Sequence, residues 1–151
     1  MTCSIKIQDN LTQDFPLVSV IILNYNGLKY LEEGLKECLD SVLRTDYPNF
    51  EVIFVDNGSE DASVDFVREN FKEDRIRVIK NKYNLGFSEG FNRGIKPSKG
   101  KYLALLSNDM TVDPNWLNPI IKIMESEPKV GLAGFKRLHY GKENVLDGIG
   151  G

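Results

Sequence analysis

Histidine and cysteine are scarce in this sequence, and their scarcity narrows the chemistry that it can carry out. The 151 residues include one histidine, His139, and two cysteines, Cys3 and Cys38. A histidine-based triad or a histidine-rich metal site would have to rely on His139 alone, and we expect that residue at the surface. The cysteine spacing fits neither a zinc site nor a disulfide framework, so both are expected to be free thiols in a reducing compartment.

Long apolar runs and a strong excess of either charge are also missing. The longest apolar stretch, residues 17–23, is far too short to span a bilayer, and the polar start of the chain does not resemble a signal peptide. The formal net charge is −3 and the basic residues are scattered, which argues against a nucleic-acid partner. We therefore expect a cytoplasmic protein, either free or peripheral at the inner face of the membrane, without a transmembrane segment in this chain.

The composition is that of a globular domain. Hydrophobic residues make up 41% and charged residues 27% of the chain, which is enough apolar material for a core. Residues 1–16 are polar, end at Pro16, and are predicted to form a flexible leader. Residues 17–151 contain no repeat or linker and are predicted to form a single domain.

Apolar runs alternate with amphipathic segments along the chain. Runs typical of buried strands cover residues 17–23, 50–55, 76–79, 102–106 and 130–135. Helical periodicity covers residues 28–42, the segment from Ser59 to Phe71, residues 87–95 and the segment that starts at Asp113-Pro114. The resulting order, β-α-β-α-β-α-β-α-β, predicts an α/β fold with a mostly parallel sheet and helices on both faces.

Polar turns follow the first four predicted strands. Asn-Tyr-Asn-Gly stands at 24–27, Asp-Asn-Gly-Ser at 56–59, Asn-Leu-Gly-Phe at 84–87 and Ser-Asn-Asp at 107–109. Ligands of open parallel sheets bind at the carboxyl ends of the strands, so these turns are candidate binding residues. The same residue types also suit turns and helix caps, so both readings stay open for any single turn.

Two carboxylates in these turns are candidates for ligand contacts. Asp56 follows a buried run and could accept hydrogen bonds from a base or a ribose; a cap or an Asx turn is the alternative. Ser59 and Asp61 are better placed for capping, which would leave Asp56 free. Asp109 could hold a hard divalent cation together with phosphate oxygens and water, and the alternative is another turn residue. Asp113 precedes a proline and is expected to be a helix N-cap.

Three glycines recur at four-residue spacing in the third predicted helix. Gly86, Gly90 and Gly94 each cost roughly 0.5–1 kcal/mol against alanine in a helix, so their presence needs a reason. A close approach of the helix to a strand or to a ligand would supply that reason. For Gly90 and Gly94 we favour tight packing of the helix on the sheet.

Together, these motifs resemble family 2 glycosyltransferases of the GT-A fold, from about residue 17 to the end of the chain. The Asn-Leu-Gly-Phe segment and the later Gly-Gly pair are most similar to a rhamnosyltransferase-like branch. The segments that carry the resemblance are VSVIILNYNG (18–27), VDNGS (55–59) with Asp61, NLGF (84–87) with Asn92, LLSND (105–109) and VDPNWL (112–117).

The resemblance implies a role for each of these segments. Residues Leu23, Asn24 and Tyr25 would line the nucleotide pocket. Asp56 would contact the base, a uracil or a thymine. The wall beside the nucleotide would be shaped by Asn84 and Gly86. Residues 107–109 stand where the family has its Asp-x-Asp metal motif, but only Asp109 is acidic; it would hold Mg²⁺ or Mn²⁺, and Asn108 would contact ribose or sugar.

The implied reaction is transfer of a sugar, with inversion, from a UDP- or dTDP-linked donor to a hydroxyl of a glycan or lipid-linked saccharide. Such hexosyltransferases need a carboxylate base, which the family supplies from a region further along the chain. Glu143 and Asp147 lie in a glycine-rich tail and are poor candidates. We therefore expect the catalytic base beyond Gly151, and a fragment that is truncated at its C-terminus, binds donor weakly and turns over little substrate.

Two other classes of protein remain as alternatives. A Rossmann-type enzyme using a dinucleotide or S-adenosylmethionine would suit Asp56, although the first turn lacks Gly-x-Gly-x-x-Gly. A non-catalytic binding module with the same fold is the second alternative. Binding of UDP or dTDP with and without Mn²⁺ would separate the three.

Overall fold

The computed structural model describes residues 15–134, 136–138 and 146–149, and its centre is a four-stranded, all-parallel sheet. The strands are β1 (Val18–Asn24), β2 (Phe50–Asp56), β3 (Ile76–Lys80) and β4 (Tyr102–Ser107), in the order β3-β2-β1-β4. Val18 lies level with Phe50 on one side and with Tyr102 on the other. The predicted α/β fold with a parallel sheet is confirmed.

Alternate side chains of the central strands face two separate layers of helices. The helices are α1 (Gly27–Leu31), α2 (Gly34–Leu43), α3 (Ser63–Asn70), α4 (Gly86–Ile95) and α5 (Leu117–Ser126). Val20, Ile22 and Phe54 face a core shared with α2, α3 and α5. On the opposite face, Ile21 and Ile53 pack with Phe91 of α4. This alternation is what period-two side-chain geometry requires of a sheet covered on both faces.

The predicted first helix is divided in two. Glu32 has a φ of 49°, so the chain leaves the helical conformation between α1 and α2. The amide N–H groups of Leu28 and Lys29 donate to Ser63 Oγ and Asp61 Oδ2, at 3.2 and 3.0 Å. The short helix α1 is therefore fixed to the loop before α3, and α2 begins separately at Gly34.

The expected start of the last helix is also displaced. Asp113 Oδ1 accepts the amide N–H of Asn115 at 2.8 Å, and α5 begins only at Leu117, without a side-chain cap. Asp113 thus closes a turn ahead of the helix and is not its N-cap. The turn places Trp116 in the core, where it is 8% exposed, before the helix begins.

The prediction of a fifth strand over residues 130–135 is wrong. Residues 130–134 form no regular element, and Leu132 is 87% exposed. Gly131 and Gly134 weaken the strand preference of this run. Two short strands follow, β5 (Lys136–Leu138) and β6 (Leu146–Ile149), which pair with each other antiparallel in a separate sheet. Asp147, which the sequence placed in an irregular glycine-rich tail, therefore lies in a strand, whereas Glu143 and His139 lie outside the described residues.

The chain ahead of β1 is packed as far back as it is described. The Phe15 ring meets the Tyr47 ring edge-on with centroids 5.5 Å apart, and the Tyr47 hydroxyl donates to the carbonyl oxygen of Pro16 at 2.7 Å. The rest of the predicted leader, residues 1–14, lies outside the described residues. In the described parts of the chain, no helix has the length and apolar character needed to cross a bilayer.

Candidate functional site

The strand order reverses between β1 and β4, and polar residues gather at the carboxyl ends there. From β1 the chain proceeds to β2 and β3 on one side, and β4 adds on the other side. Hydrogen bonds continue past the strand ends: the amide N–H groups of Asn57 and Asn108 donate to the carbonyl oxygens of Asn24 and Leu23, at 2.7 and 3.2 Å. Such a reversal point is where open α/β sheets bind ligands.

Asp56 is the centre of a buried polar cluster at this edge. Its side chain is 0% exposed. Oδ1 accepts hydrogen bonds from Asn24 Nδ2 at 2.9 Å and from the Ser59 hydroxyl at 2.5 Å. Oδ2 accepts the amide N–H of Ser59 at 3.0 Å. The contacts compensate for burial of the carboxylate, which would be costly if it were unpaired.

These contacts correct the expectation that Ser59 caps a helix and leaves Asp56 free. Helix α3 begins at Ser63 without a side-chain cap, and Ser59 is engaged with Asp56 instead. Asp56 has the Asx-type arrangement that was the alternative reading. Its contact with a base stays a prediction, and such a contact would have to be made by a side chain that is buried here.

Asn24 connects this cluster to β4. Its Nδ2 donates to Asp56 Oδ1 and to Ser59 Oγ, at 2.9 and 3.2 Å, and its Oδ1 accepts from Asn108 Nδ2 at 2.7 Å. A Cβ at Gly27 would lie 2.3 Å from Asn24 Oδ1 and 2.9 Å from Asn108 Nδ2. The start of α1 therefore approaches the two carboxamides so closely that only glycine fits there.

Asn57 fixes the loop that leads into α4, and the sequence did not identify this role. Its Oδ1 accepts from Asn81 Nδ2 and from the amide N–H of Leu85, both at 3.1 Å. Its Nδ2 donates to Asn84 Oδ1 and to the carbonyl oxygen of Gly86, both at 3.0 Å. The signal that could have revealed it is the concentration of asparagines after neighbouring strands, since a carboxamide can donate and accept at once.

A second missed residue, Asn26, fixes the turn between β1 and α1. It has a φ of 51°, a left-handed conformation that asparagine tolerates better than most residues. Its amide N–H donates to Ser59 Oγ at 2.8 Å, and its Oδ1 accepts the amide N–H of Glu60 at 2.9 Å. The turns after β1 and β2 are thus bound to each other.

The remaining predicted binding residues form the accessible surroundings of this cluster. Tyr25 is 41% exposed, and Asn84 and Gly86 are also exposed. Leu23 is half-buried and packs beside α4, where a Cβ at Gly90 would lie 2.7 Å from its Cδ1. Gly94 approaches Ile21 similarly, at 2.4 Å. Tight helix–sheet packing as the reason for Gly90 and Gly94 is therefore confirmed.

Asp109 is an exposed carboxylate at this edge. It is the second residue after β4, and its carboxylate accepts no hydrogen bond from the described residues. Its charge is felt at Cys38 in α2, whose Sγ lies 3.8 Å from the carbonyl oxygen of Ser107. Burial, aided by the negative charge of Asp109, raises the pKa of the Cys38 thiol to about 12. Cys38 is therefore an inert core thiol, as a free cysteine of this kind is expected to be.

Comparison with known proteins identifies the family. The model of the family described as Glycosyl transferase family 2 matches residues 19–147. The chain belongs to glycosyltransferase family 2. An uncharacterized glycosyltransferase of Haemophilus influenzae is 35% identical over 123 residues, which cover 81% of this chain and 37% of that protein. The uncharacterized glycosyltransferase EpsJ of Bacillus subtilis is 39% identical over 95 residues, 62% of this chain and 26% of that protein.

Solved structures support the same fold for this family 2 domain. Staphylococcus aureus TarS 1-349, in complex with UDP-GlcNAc, matches with a TM-score of 0.71 at 23% identity, over 83% of this chain and 36% of that one. The mannosyltransferase PcManGT of Pyrobaculum calidifontis, in complex with GDP-Man and Mn²⁺, matches with a TM-score of 0.71 at 25% identity, over 81% and 36%. The fold is GT-A-like, and the chain spans well under half the length of these proteins.

The residues of this family 2 domain can be compared with the needs of a divalent cation. Among the described residues, no three His, Cys, Asp or Glu side chains are grouped to hold a metal by themselves. Mg²⁺ commonly binds through one or two carboxylates together with substrate phosphates and water. The exposed, unbonded Asp109 fits that pattern, provided that a diphosphate supplies the other ligands.

Proposed function

We propose that this domain holds a nucleoside diphosphate sugar at the carboxyl ends of β1, β2 and β4, with a divalent cation on Asp109. The enzyme to which it belongs transfers the sugar, with inversion, to a hydroxyl of a glycan or a lipid-linked saccharide. The observation that supports this most is the exposed carboxylate of Asp109, which accepts no hydrogen bond from the described residues and lies beside the hydrogen-bonded carboxamides of Asn24 and Asn108 at the reversal point of the sheet.

The proposed nucleotide site divides into exposed and buried residues. Tyr25, Asn84 and Gly86 are exposed and would contact the nucleotide, with Leu23 forming part of the apolar floor. Three polar residues complete the proposed set: Asn24 and Asp56, which are fully buried, and the half-buried Asn108.

A cation bound at Asp109 would neutralise charge on the diphosphate as it leaves. The turn of residues 108–109 sits beside β1, so Asp109 is directed to the same edge as the proposed nucleotide pocket. The base that deprotonates the acceptor hydroxyl is proposed to come from the part of the enzyme beyond this chain. The chain alone would then bind donor and turn over little of it.

Calorimetric titration with UDP, dTDP and GDP, each with and without Mn²⁺, tests the proposal. We expect binding that requires Mn²⁺ and weakens at least about tenfold in Asp109→Asn, because the variant keeps the shape and loses the charge. Asp113→Asn is the matched control, since Asp113 lies four residues further on and accepts a backbone amide within its own turn.

Each other outcome of this titration points to a different function. Binding of NAD or S-adenosylmethionine in place of a nucleoside diphosphate would favour a Rossmann-type enzyme. Nucleotide binding that ignores both Mn²⁺ and the charge at position 109 would contradict the metal assignment. No binding of any of these ligands would favour a non-catalytic module.

The donor sugar and the cellular setting are finer proposals. The two solved neighbours are complexes with UDP-GlcNAc and with GDP-Man, so the fold accepts different bases. From the motif resemblance we propose a UDP- or dTDP-linked donor and the rhamnosyltransferase-like branch. We also propose an enzyme of cell-surface polysaccharide synthesis in the cytoplasm or at the inner face of the membrane. Competition among dTDP-rhamnose, UDP-GlcNAc and GDP-mannose in the same titration would test the donor.

A further inference from the structure

The hydrogen bonds between Asp56, Asn24 and Asn108 have a fixed direction. Both carboxylate oxygens of Asp56 act as acceptors, from the Ser59 hydroxyl and amide groups and from Asn24, so Asn24 turns its Nδ2 towards Asp56. The same nitrogen also donates to Ser59 Oγ, whose proton is already given to Asp56. Asn24 Oδ1 is thereby left facing β4, where it accepts from Asn108 Nδ2 at 2.7 Å.

The direction of this chain places a requirement on position 108. Asn24 is fully buried, so its side-chain oxygen, Oδ1, needs a hydrogen-bond donor within the protein. Gly27 packs against the same oxygen so closely that a Cβ at position 27 would lie 2.3 Å from Asn24 Oδ1, which leaves no room for another donor on that side. A carboxylate at position 108 would bring an acceptor against an acceptor, and Asn24 could not rotate its amide without breaking its bonds to Asp56 and Ser59.

We propose that Asn108 is a positioning residue, which the buried carboxylate of Asp56 orients through Asn24 so that the turn carrying Asp109 is held in one arrangement. This inference rests on the proposed function, in which Asp109 is the ligand of the cation. It accounts for the amide in the middle of Ser107-Asn108-Asp109 by the need for a donor that faces inward. The carboxylate of the next residue is left to face the ligand.

The first test is the pH dependence of stability in Asn108→Asp. The introduced carboxyl group can donate to Asn24 when it is protonated and cannot when it is ionised, so the folded state raises its pKa above the unfolded value of about 3.9. The melting-temperature deficit relative to the parent protein should therefore be small near about pH 4 and grow as the pH rises through the raised folded pKa. Asn108→Ala, which cannot donate at any pH, should show a deficit that does not change over this range.

A control is needed because other acidic groups lie near position 108. Asp56 lies behind Asn24, Asp109 is the next residue, and Cys38 approaches from α2. Asn115→Asp also places a new carboxylate near an aspartate, since the Asn115 amide N–H binds Asp113 Oδ1 at 2.8 Å. The side-chain oxygen of Asn115 accepts a hydrogen bond from Asn118 Nδ2 at 2.7 Å, and an ionised aspartate at position 115 could still accept that bond. A pH-dependent deficit of the same size in this control would overturn the proposal.

The second test is amide hydrogen exchange in the Asp109 turn. The Met110 amide N–H donates to the carbonyl oxygen of Ser107 at 3.2 Å and reports whether the turn is closed. We expect Asn108→Asp near about pH 7 to speed exchange at Met110 at least about tenfold, relative to the parent protein at the same pH. Amides in the middle of β1 should be unaffected. Unchanged exchange at Met110 would show that Asn24 does not hold this turn.

Both measurements are independent of any ligand, so their outcome is separate from that of the proposed function. A rise of about tenfold in the Mn²⁺ concentration needed for half-maximal UDP binding in Asn108→Ala would connect the turn to the cation site, because a lost contact with the nucleotide alone would not change the affinity for the cation. If the parent protein bound no nucleotide, the proposed function would fail, and the pH profile and the exchange rates would still decide whether Asn108 positions the turn. Full Mn²⁺-dependent affinity in Asn108→Ala would overturn its positioning role.

Discussion

Substitution of Gly94 by alanine measures how closely α4 packs on the sheet that carries the proposed site. A Cβ at this position would lie 2.4 Å from Ile21 Cγ2 and 2.8 Å from Val55 Cγ2. Both neighbours are β-branched and fully buried, so neither side chain has a free rotamer or an open space to move into. The helix must therefore move away from the sheet, or the strands must shift.

The expected magnitude is the difference between two opposing effects. Alanine in place of glycine stabilises a helix by roughly 0.5–1 kcal/mol. An extra methyl group in a well-packed core destabilises by about 1–3 kcal/mol. We expect a net loss of roughly 1–2 kcal/mol in the free energy of unfolding, which corresponds to a fall of about 2–8 °C in melting temperature for a chain of this size.

Urea unfolding followed by circular dichroism would measure the loss, with Ser88→Ala as the control. Ser88 lies exposed on the same helix, so its replacement changes helix propensity without meeting the sheet. It should leave stability unchanged or raise it by a few tenths of a kcal/mol, as expected from propensity alone. If Gly94→Ala were as stable as the parent protein, the close contact of α4 with β1 and β2 would not exist as described.

Three further substitutions or modifications test other parts of the structure. Gly58→Ala should destabilise by about 1–3 kcal/mol in urea unfolding, because the residue has a φ of 80° and its Cβ would lie 2.5 Å from the Tyr83 backbone; an unchanged midpoint would contradict this. In a Cys3→Ser background, Cys38 should not react with a thiol reagent at about pH 8 until the protein unfolds, since its pKa is raised to about 12; rapid modification of the native protein would refute its burial. Burial acts to raise the pKa of Asp61, but the hydrogen bonds that its carboxylate accepts outweigh it and hold the pKa below its usual value. The stabilisation of the fold by the ionised Asp61 is therefore present above the unfolded pKa and is lost as the pH falls through the folded pKa. Asp61→Asn should lower the free energy of unfolding by about 0.5–1 kcal/mol at neutral pH and by less in acid, as pH-dependent urea unfolding would measure.

The central strands β1 and β2 could be predicted from the sequence because they are buried on both faces. The edge strand β4 has the same kind of apolar run, although its Leu103 and Leu105 are 44% and 45% exposed. Residues 17–23, 50–55 and 102–106 were predicted as strands, and the structure gives β1, β2 and β4 bounds that differ by about one residue at an end. Continuous apolar runs of this length are characteristic of central parallel strands. Residues 130–135 show the same apolar pattern but form no strand over 130–134, because pattern alone does not say whether a partner strand is available.

Helix ends were predicted less well, because distant contacts determine them. Leu28, Leu31 and Leu35 keep helical spacing across the break at Glu32, so periodicity does not reveal it. The short helix before the break is held by Ser63 and Asp61, which accept the amides of Leu28 and Lys29 from 35 and 32 residues away. Such long-range side-chain contacts override local propensity and leave no local signal.

The sequence predicted which residues stand at the binding edge, but not how they are connected. Polar residues after Asn24, Asp56 and Ser107 were expected to meet there, and the parallel register brings them together. Which of them would be buried depends on pairing between loops. Ser59 was expected to serve its own helix, and it instead binds Asp56 and the Asn26 amide.

The pairing of these loops gives a physical reason for the acid-poor character of the edge. Asn24 lies between positions 56 and 108. Carboxylates at both positions would place acceptors on both sides of the Asn24 side chain, and its one NH₂ group could donate to only one of them. One buried carboxylate and two carboxamides in series pair with one another, and no buried side-chain nitrogen or oxygen among the described residues lacks a partner. The carboxylate of Asp109 stays exposed, where a cation and a diphosphate would use it. An Asn24→Leu variant should therefore weaken Mn²⁺-dependent nucleotide binding, because it removes the acceptor that holds Asn108. Full affinity in that variant would show that Asp109 needs no support from β1.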